Sequence, residues 1–164
     1  MADPAASACR DGTPDGDGSP ASAGRGAEAH GRARSIGRWA LAAVYAGVGL
    51  VHLVAPEVIV PIVPDWVPRP REVVLLTGVC EIAGALGLLH PRTRRLSGTM
   101  LALYALCVWP ANVKHALDGT AVAGLPSGWW YHGPRLAFQP VLIWAALWAS
   151  GVVDWPFGRA AGGR

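Results

Sequence analysis

The sequence predicts an all-α membrane protein: four transmembrane helices in a bundle, preceded by a disordered tail. Three observations carry this. Just over half of the 164 residues are apolar and only 15% are charged. The apolar residues gather into four nearly continuous blocks instead of alternating with polar ones, as lipid-facing helices require. The arginines sit at block ends, where topology signals belong, and form no basic face. A pI near 9.1 therefore does not argue for a nucleic-acid partner. Cys9, Cys80 and Cys107 have no C-x-x-C spacing, so neither a disulfide framework nor a zinc site is indicated. Cys80 and Cys107 fall inside apolar blocks and read as small buried hydrophobes.

Residues 1–34 hold no aromatic residue and no apolar period. Such a segment cannot bury enough surface to order itself and is expected to be a disordered cytoplasmic tail. The membrane domain spans residues 35–157, with a short cytoplasmic tail over 158–164. The first span, about 36–54, follows Arg32 and Arg34. It is long for a signal-peptide core, and no cleavage site follows it. The connection from Ala55 to Arg71 has too many prolines for a continuous helix and too many apolar residues for a free loop. It is expected at the membrane surface, with Trp66 at headgroup level. The second span, about 73–89, carries Thr77, Gly78, Glu81, Gly84 and Ala85 on one stripe. Small residues there let a neighbouring helix approach, so Glu81 is expected to face the bundle. The third span, about 96–114, ends in WPANVKHAL, where Pro110 frees the carbonyl of Leu106. A Gly/Pro-containing loop then leads to the interfacial trio Trp129, Trp130 and Tyr131. The fourth span, about 134–155, opens with Arg135 and Gln139 on one face. Trp144 and Trp148 lie roughly opposite that face, toward lipid or a neighbouring helix, and Trp155 and Phe157 close the span. Counting arginines over four alternating spans puts both termini in the cytoplasm.

In that orientation His52, Glu81, Asn112, Arg135 and Gln139 converge from four helices on the outer half of the bundle. A carboxylate in mid-bilayer is paired, protonated or functional. One reading is an outward-opening polar pocket for a small ligand or a quinone head group. The other is an internal clamp, with Glu81 accepting from Gln139, Tyr45 or His52 and Asn112 taking the carbonyl freed by Pro110. Arg135 reaching down to Glu81 would keep the carboxylate charged. No residue is singled out as catalytic. No metal is expected, because His52, His115 and His132 contain no i, i+3 or i, i+4 pair.

The run His52, Pro56-Glu57, Val63-Pro64, Trp66, Pro68, Gly78, Glu81 and Gly87-Leu88-Leu89 resembles the DoxX and DoxX-like membrane proteins. So do Pro110-Ala111-Asn112-Val113 and Arg135-Leu136 with Gln139. The resemblance implies a four-helix integral protein of the cell membrane. The family takes its name from a small subunit of a thiosulfate–quinone oxidoreductase. By that resemblance His52, Glu81, Asn112, Arg135 and Gln139 are the functional positions, and whether the chain is an enzyme stays open. Its function would be that of a small membrane subunit of a quinone- or sulfur-linked oxidoreductase, with quinone as its cofactor and none held covalently. The alternative is a non-enzymatic solute transporter or assembly factor. The partners left open are the lipid bilayer, an oxidoreductase subunit and a second copy of the chain, but not nucleic acid.

Overall fold

The computed structural model describes residues 20–119, 126 and 128–155, with side chains from residue 24 onward. The expected tail as far as residue 19, Cys9, most of the loop before Trp129, Phe157 and the 158–164 tail lie outside these residues. Among the described residues every regular element is helical. The long helices are α1 (Pro20–Val54), α3 (Pro70–Leu89), α4 (Arg94–Asp118) and α5 (Trp129–Ser150). Between α1 and α3 lie the single turn α2 (Pro56–Ile59) and a 3-10 turn (Val60–Ile62). Three helices, α1 from Gly24, α3 and α4, are long and apolar enough to cross a membrane. The chain thus has the helix lengths and composition of a membrane protein. The fourth expected span, α5, falls short of that measure because Trp129, Trp130, Tyr131, His132, Pro134, Arg135, Gln139 and Pro140 dilute its apolar run.

Local chemistry explains the helix ends, and several differ from the expected boundaries: α4 runs on to Asp118 and α5 begins at Trp129. Pro56 stops α1, since the residue before a proline is driven out of the α region. Arg69, between two prolines, takes a left-handed backbone (φ 50°), and Pro70 opens α3 at a position where no N–H is needed. Gly119 (φ 60°) ends α4 in a left-handed cap. Gly151 (φ 80°) ends α5, with its N–H on Trp148 O and the Val152 N–H on Leu147 O. Helix α5 therefore stops at Ser150, short of the expected Trp155. The first boundary moves further. Residues 20–34, expected as disordered tail, are the first part of α1. Five alanines between Ala21 and Ala33 propagate a helix readily once its C-terminal part is packed. Tertiary contacts then hold the extension. His30 packs edge-on against Trp148, and Arg34 donates to Val153 O at 3.0 Å and pairs with Asp154.

The long helices form a ring in which α1 packs on α3, α3 on α4, α4 on α5, and α5 back on α1. Successive long helices run antiparallel. One end of the bundle carries Arg34, Arg38, Arg94 and Arg95; the other carries α2. At the arginine end α5 meets α1 closely, with Arg38 donating to Ala149 O at 3.2 Å and Gly37 against Trp148. Trp148, expected to meet lipid or a neighbouring helix, thus packs on α1, stacked on Trp144 at 5.6 Å. A cluster of small and branched residues fills this half: Leu41, Ala42, Ala85, Leu88, Leu101 and Ala146. Two glycines set the spacing of α1 and α3. A Cβ on Gly78 would lie 2.8 Å from His52 Cβ and 2.9 Å from Gly49 O, so the backbones touch there. The outward faces are apolar, with Val54, Leu76, Leu86, Leu96 and Leu106 all more than half exposed. Cys80 and Cys107, expected to be buried, are exposed as well, each one turn from an exposed leucine, Leu76 and Leu103.

Above the core the connection folds over the α2 end. Ile62 and Pro56 are buried, whereas Trp66 is exposed. Arg71 pairs with Glu57 at 2.8 Å, and Lys114 lies 3.8 Å from Asp65.

Candidate functional site

The five polar residues singled out from the sequence fall in the α2 half of the bundle, in two clusters. The first joins α1, α3 and α4. Glu81 is buried on the face of α3 that also carries Val74, Gly78, Ala85 and Leu88. One carboxylate oxygen lies 2.7 Å from His52 Nδ1, and the other accepts from the Tyr104 hydroxyl at 2.9 Å. Tyr45 packs edge-on to Tyr104 with ring centroids 6.5 Å apart. Its buried hydroxyl has no hydrogen-bond partner.

The second cluster joins α4 and α5. Arg135 Nη2 donates to Asn112 Oδ1 at 2.6 Å, and Nη1 lies 2.8 Å from His115 Nδ1. A guanidinium cannot accept, so His115 receives this bond on a neutral Nδ1. Asn112 Nδ2 donates to Gln139 Oε1 at 3.3 Å, and Gln139 Nε2 donates to Ala105 O at 2.6 Å. These amide bonds run in one direction and orient the Asn112 oxygen toward Arg135. His132 packs edge-on to His115 with centroids 4.7 Å apart, and Arg135 lies 5.9 Å from the Tyr131 ring centroid.

Several expected bonds are replaced by others, for one geometric reason. In the ring, α3 and α5 are diagonal. Gln139 and Arg135 therefore do not reach Glu81, and α1 and α4, the helices flanking α3, supply His52 and Tyr104 instead. Asn112 does not take the Leu106 carbonyl, which lies six residues back, or roughly 9 Å along the axis. Gln139 enters at that level from α5 and takes Ala105 O, one residue away from the freed carbonyl. Tyr104 is absent from the residues that the sequence singles out, although a hydroxyl in mid-block is the available signal. His115, expected at the outer end of the third span, is not among the five positions singled out from the sequence.

Between the two clusters is a cavity of about 860 Å³. Its deep wall includes Tyr45, Glu81, Tyr104 and Leu142, with Arg135 and Asn112 on the side toward α4 and α5. Ile59, Ile62 and Val63 of the connection contribute to its lining at the α2 end. Val44, Val48 and Val51 on α1 and Phe138 on α5 also line it and are exposed at the bundle surface. The cavity therefore opens sideways between α1 and α5, which touch closely at the arginine end. The volume lies within the usual range for a small-molecule site, and the wall pairs a broad apolar surface with a few convergent polar groups.

No curated protein and no solved structure matches the chain. The family that does match, over residues 41–150, is described as Domain of unknown function (DUF8561). This overturns the resemblance to the DoxX family. The features behind that resemblance are common solutions for packed helices: glycines at a crossing, prolines in a connection, and an amide after a helix proline. The matched region runs from Leu41, in the core of α1, to Ser150, the last residue of α5, and the chain belongs to this family of unknown function.

Proposed function

We propose that the chain is a four-span protein of the cell membrane that binds one small amphipathic ligand in the cavity between α1 and α5. The observation that carries the reading is the cavity itself, which is open on an apolar flank and has unused hydrogen-bonding capacity inside. The Tyr45 hydroxyl is buried on its wall without a partner. A buried polar group in that state costs about 1–3 kcal/mol, which a ligand accepting its hydrogen bond recovers. The ligand's tail would lie along Val44, Val48, Val51 and Phe138, and its head would reach Tyr45, the Glu81 cluster and Arg135. A quinone is one molecule of that form. Coupling to an oxidoreductase partner rested on the DoxX resemblance and loses its support with it. Solute transport is the weaker reading, because the turn below Tyr45 and Glu81 is filled by Leu41, Ala42, Ala85 and Leu101.

The four-span topology rests on the antiparallel ring and on the arginine distribution. Arg32, Arg34, Arg38, Arg92, Arg94 and Arg95 share one end, which we assign to the cytoplasm. The cavity then lies in the outer half.

Calorimetric titration of the full chain in a non-ionic detergent tests the binding reading. Dodecanoate or a decyl-benzoquinone is expected to bind saturably at one per chain. Val48→Trp, which fills the mouth, is expected to abolish binding while circular dichroism stays unchanged. Absence of saturable binding by both probes would overturn it.

A further inference from the structure

We infer that the ligand of this cavity carries an anionic head group, a carboxylate or a phosphate monoester on an apolar tail, and that Arg135 is the residue that selects it. The inference rests on the binding reading above and adds the charge of the head group. Arg135 is half-buried, lines the cavity, and is permanently charged. Both of its hydrogen-bond partners among the described residues are neutral: the Asn112 amide oxygen and a His115 nitrogen that must be unprotonated to accept. Among the described residues no carboxylate lies in ion-pair distance of it. The acid in the same cavity, Glu81 on the diagonal helix α3, is taken by His52 of α1 and Tyr104 of α4. A half-buried charge without a counter-ion is costly, and among the described residues it is offset only by two hydrogen bonds to neutral partners and the face of Tyr131.

The surrounding bonds hold the guanidinium in position. Asn112 is oriented by Gln139, Gln139 by Ala105 O, and His115 is buried against His132. Arg135 uses two of its five N–H groups on these partners, which leaves donors for a planar anion in a fork geometry. The Tyr45 hydroxyl is a further donor lining the same cavity, on its deep wall. A neutral head group would satisfy Tyr45 but leave the cation uncompensated. An anionic head group supplies the missing counter-charge. The apolar flank accounts for the tail, so a free anion would use only part of the site.

Calorimetric titration of the full chain in a non-ionic detergent with probes matched in chain length tests this. Dodecanoate and dodecyl phosphate are expected to bind at least about tenfold more tightly than dodecanol, the effect of one charge-assisted bond. Inorganic phosphate and acetate, which have no tail, are expected not to bind measurably. Arg135→Gln is expected to bring the anionic probes to the affinity of dodecanol, and Arg135→Lys to keep part of the preference. Equal binding of dodecanol and dodecanoate by the parent protein would overturn the charge inference and leave the amphiphile site standing. That comparison needs no variant, so it stands even if Arg135→Gln fails to fold. Binding of inorganic phosphate as tightly as dodecyl phosphate would overturn the requirement for a tail. If no probe binds, the site itself is lost, and the inference with it.

Discussion

At the scale of single residues, Glu81 is held by two donors from two helices, and its chemistry separates shape from charge. An amide has the same shape. In Glu81→Gln the amide oxygen accepts from Tyr104 and the amide N–H donates to His52 Nδ1, with the His52 proton moved to Nε2. The bundle is therefore expected to keep its thermal stability in detergent to within about 1 kcal/mol. Glu81→Leu strands both donors and is expected to lose about 1–3 kcal/mol. Thermal unfolding of the two variants beside the parent measures the difference. If Glu81→Leu were as stable as the parent, His52 and Tyr104 would have water as an alternative partner, and the cluster would contribute nothing to folding. Tyr104→Phe removes one bond and leaves Glu81 with His52, so an intermediate loss of about 1 kcal/mol is expected.

At the scale of elements, the crossing of α1 and α3 depends on two glycines, and another glycine on α1 serves as a control. A side chain on Gly78 would meet His52 and the Gly49 carbonyl, both part of the crossing itself. Gly78→Val is expected to push the helices apart and destabilise by about 1–3 kcal/mol, as overpacking does. It should also disturb the His52–Glu81 bond, because His52 lies at the contact. A Cβ on Gly47, also on α1, would meet nothing within 4 Å. Gly47→Ala is expected to be neutral or to stabilise by roughly 0.5–1 kcal/mol, since alanine is the better helix former. Paired unfolding measurements on the two variants check the crossing; equal effects would contradict it. The start of α1 makes a similar point. Residues 24–29 are exposed and a Cβ on Gly24 or Gly26 would meet nothing within 4 Å, whereas His30 and Arg34 reach the end of α5. Deleting residues 2–26 should therefore leave unfolding unchanged, while Arg34→Ala should lower stability by about 1–2 kcal/mol through the lost bonds to Val153 and Asp154.

At the scale of the whole molecule, the two ends of the bundle divide its work. The arginine end is closed by small residues and by α1–α5 contacts. The α2 end is held open by polar side chains that keep their distance across a diagonal. In the proposed four-span arrangement the cavity mouth would face lipid, not water. The proposed orientation is checked by labelling single cysteines in a background lacking Cys9, Cys80 and Cys107. Asp65→Cys, exposed on the connection, should be labelled from outside intact cells, and His90→Cys, exposed in the turn between α3 and α4, should not. The opposite pattern would put the cavity in the cytoplasmic half.

The sequence by itself determined the helical class, the apolar blocks, the proline-rich connection and the residues that converge on one half of the bundle. These are local properties: apolar runs, prolines and glycines act on the chain within a turn or two. Tertiary structure alone decided who meets whom. Spacing along each helix put Glu81, Arg135 and Gln139 on inward faces, but only the order of helices around the ring sent Glu81 to His52 and Tyr104 and left Arg135 among neutral partners. The same holds for the length of α1. Its alanine-rich start has no apolar period to announce it, and the helix is held there by Trp148 and the end of α5, more than a hundred residues away in sequence. The family likeness failed for a related reason. Short motifs of glycine, proline and asparagine record how helices pack, and unrelated bundles meet the same packing constraints.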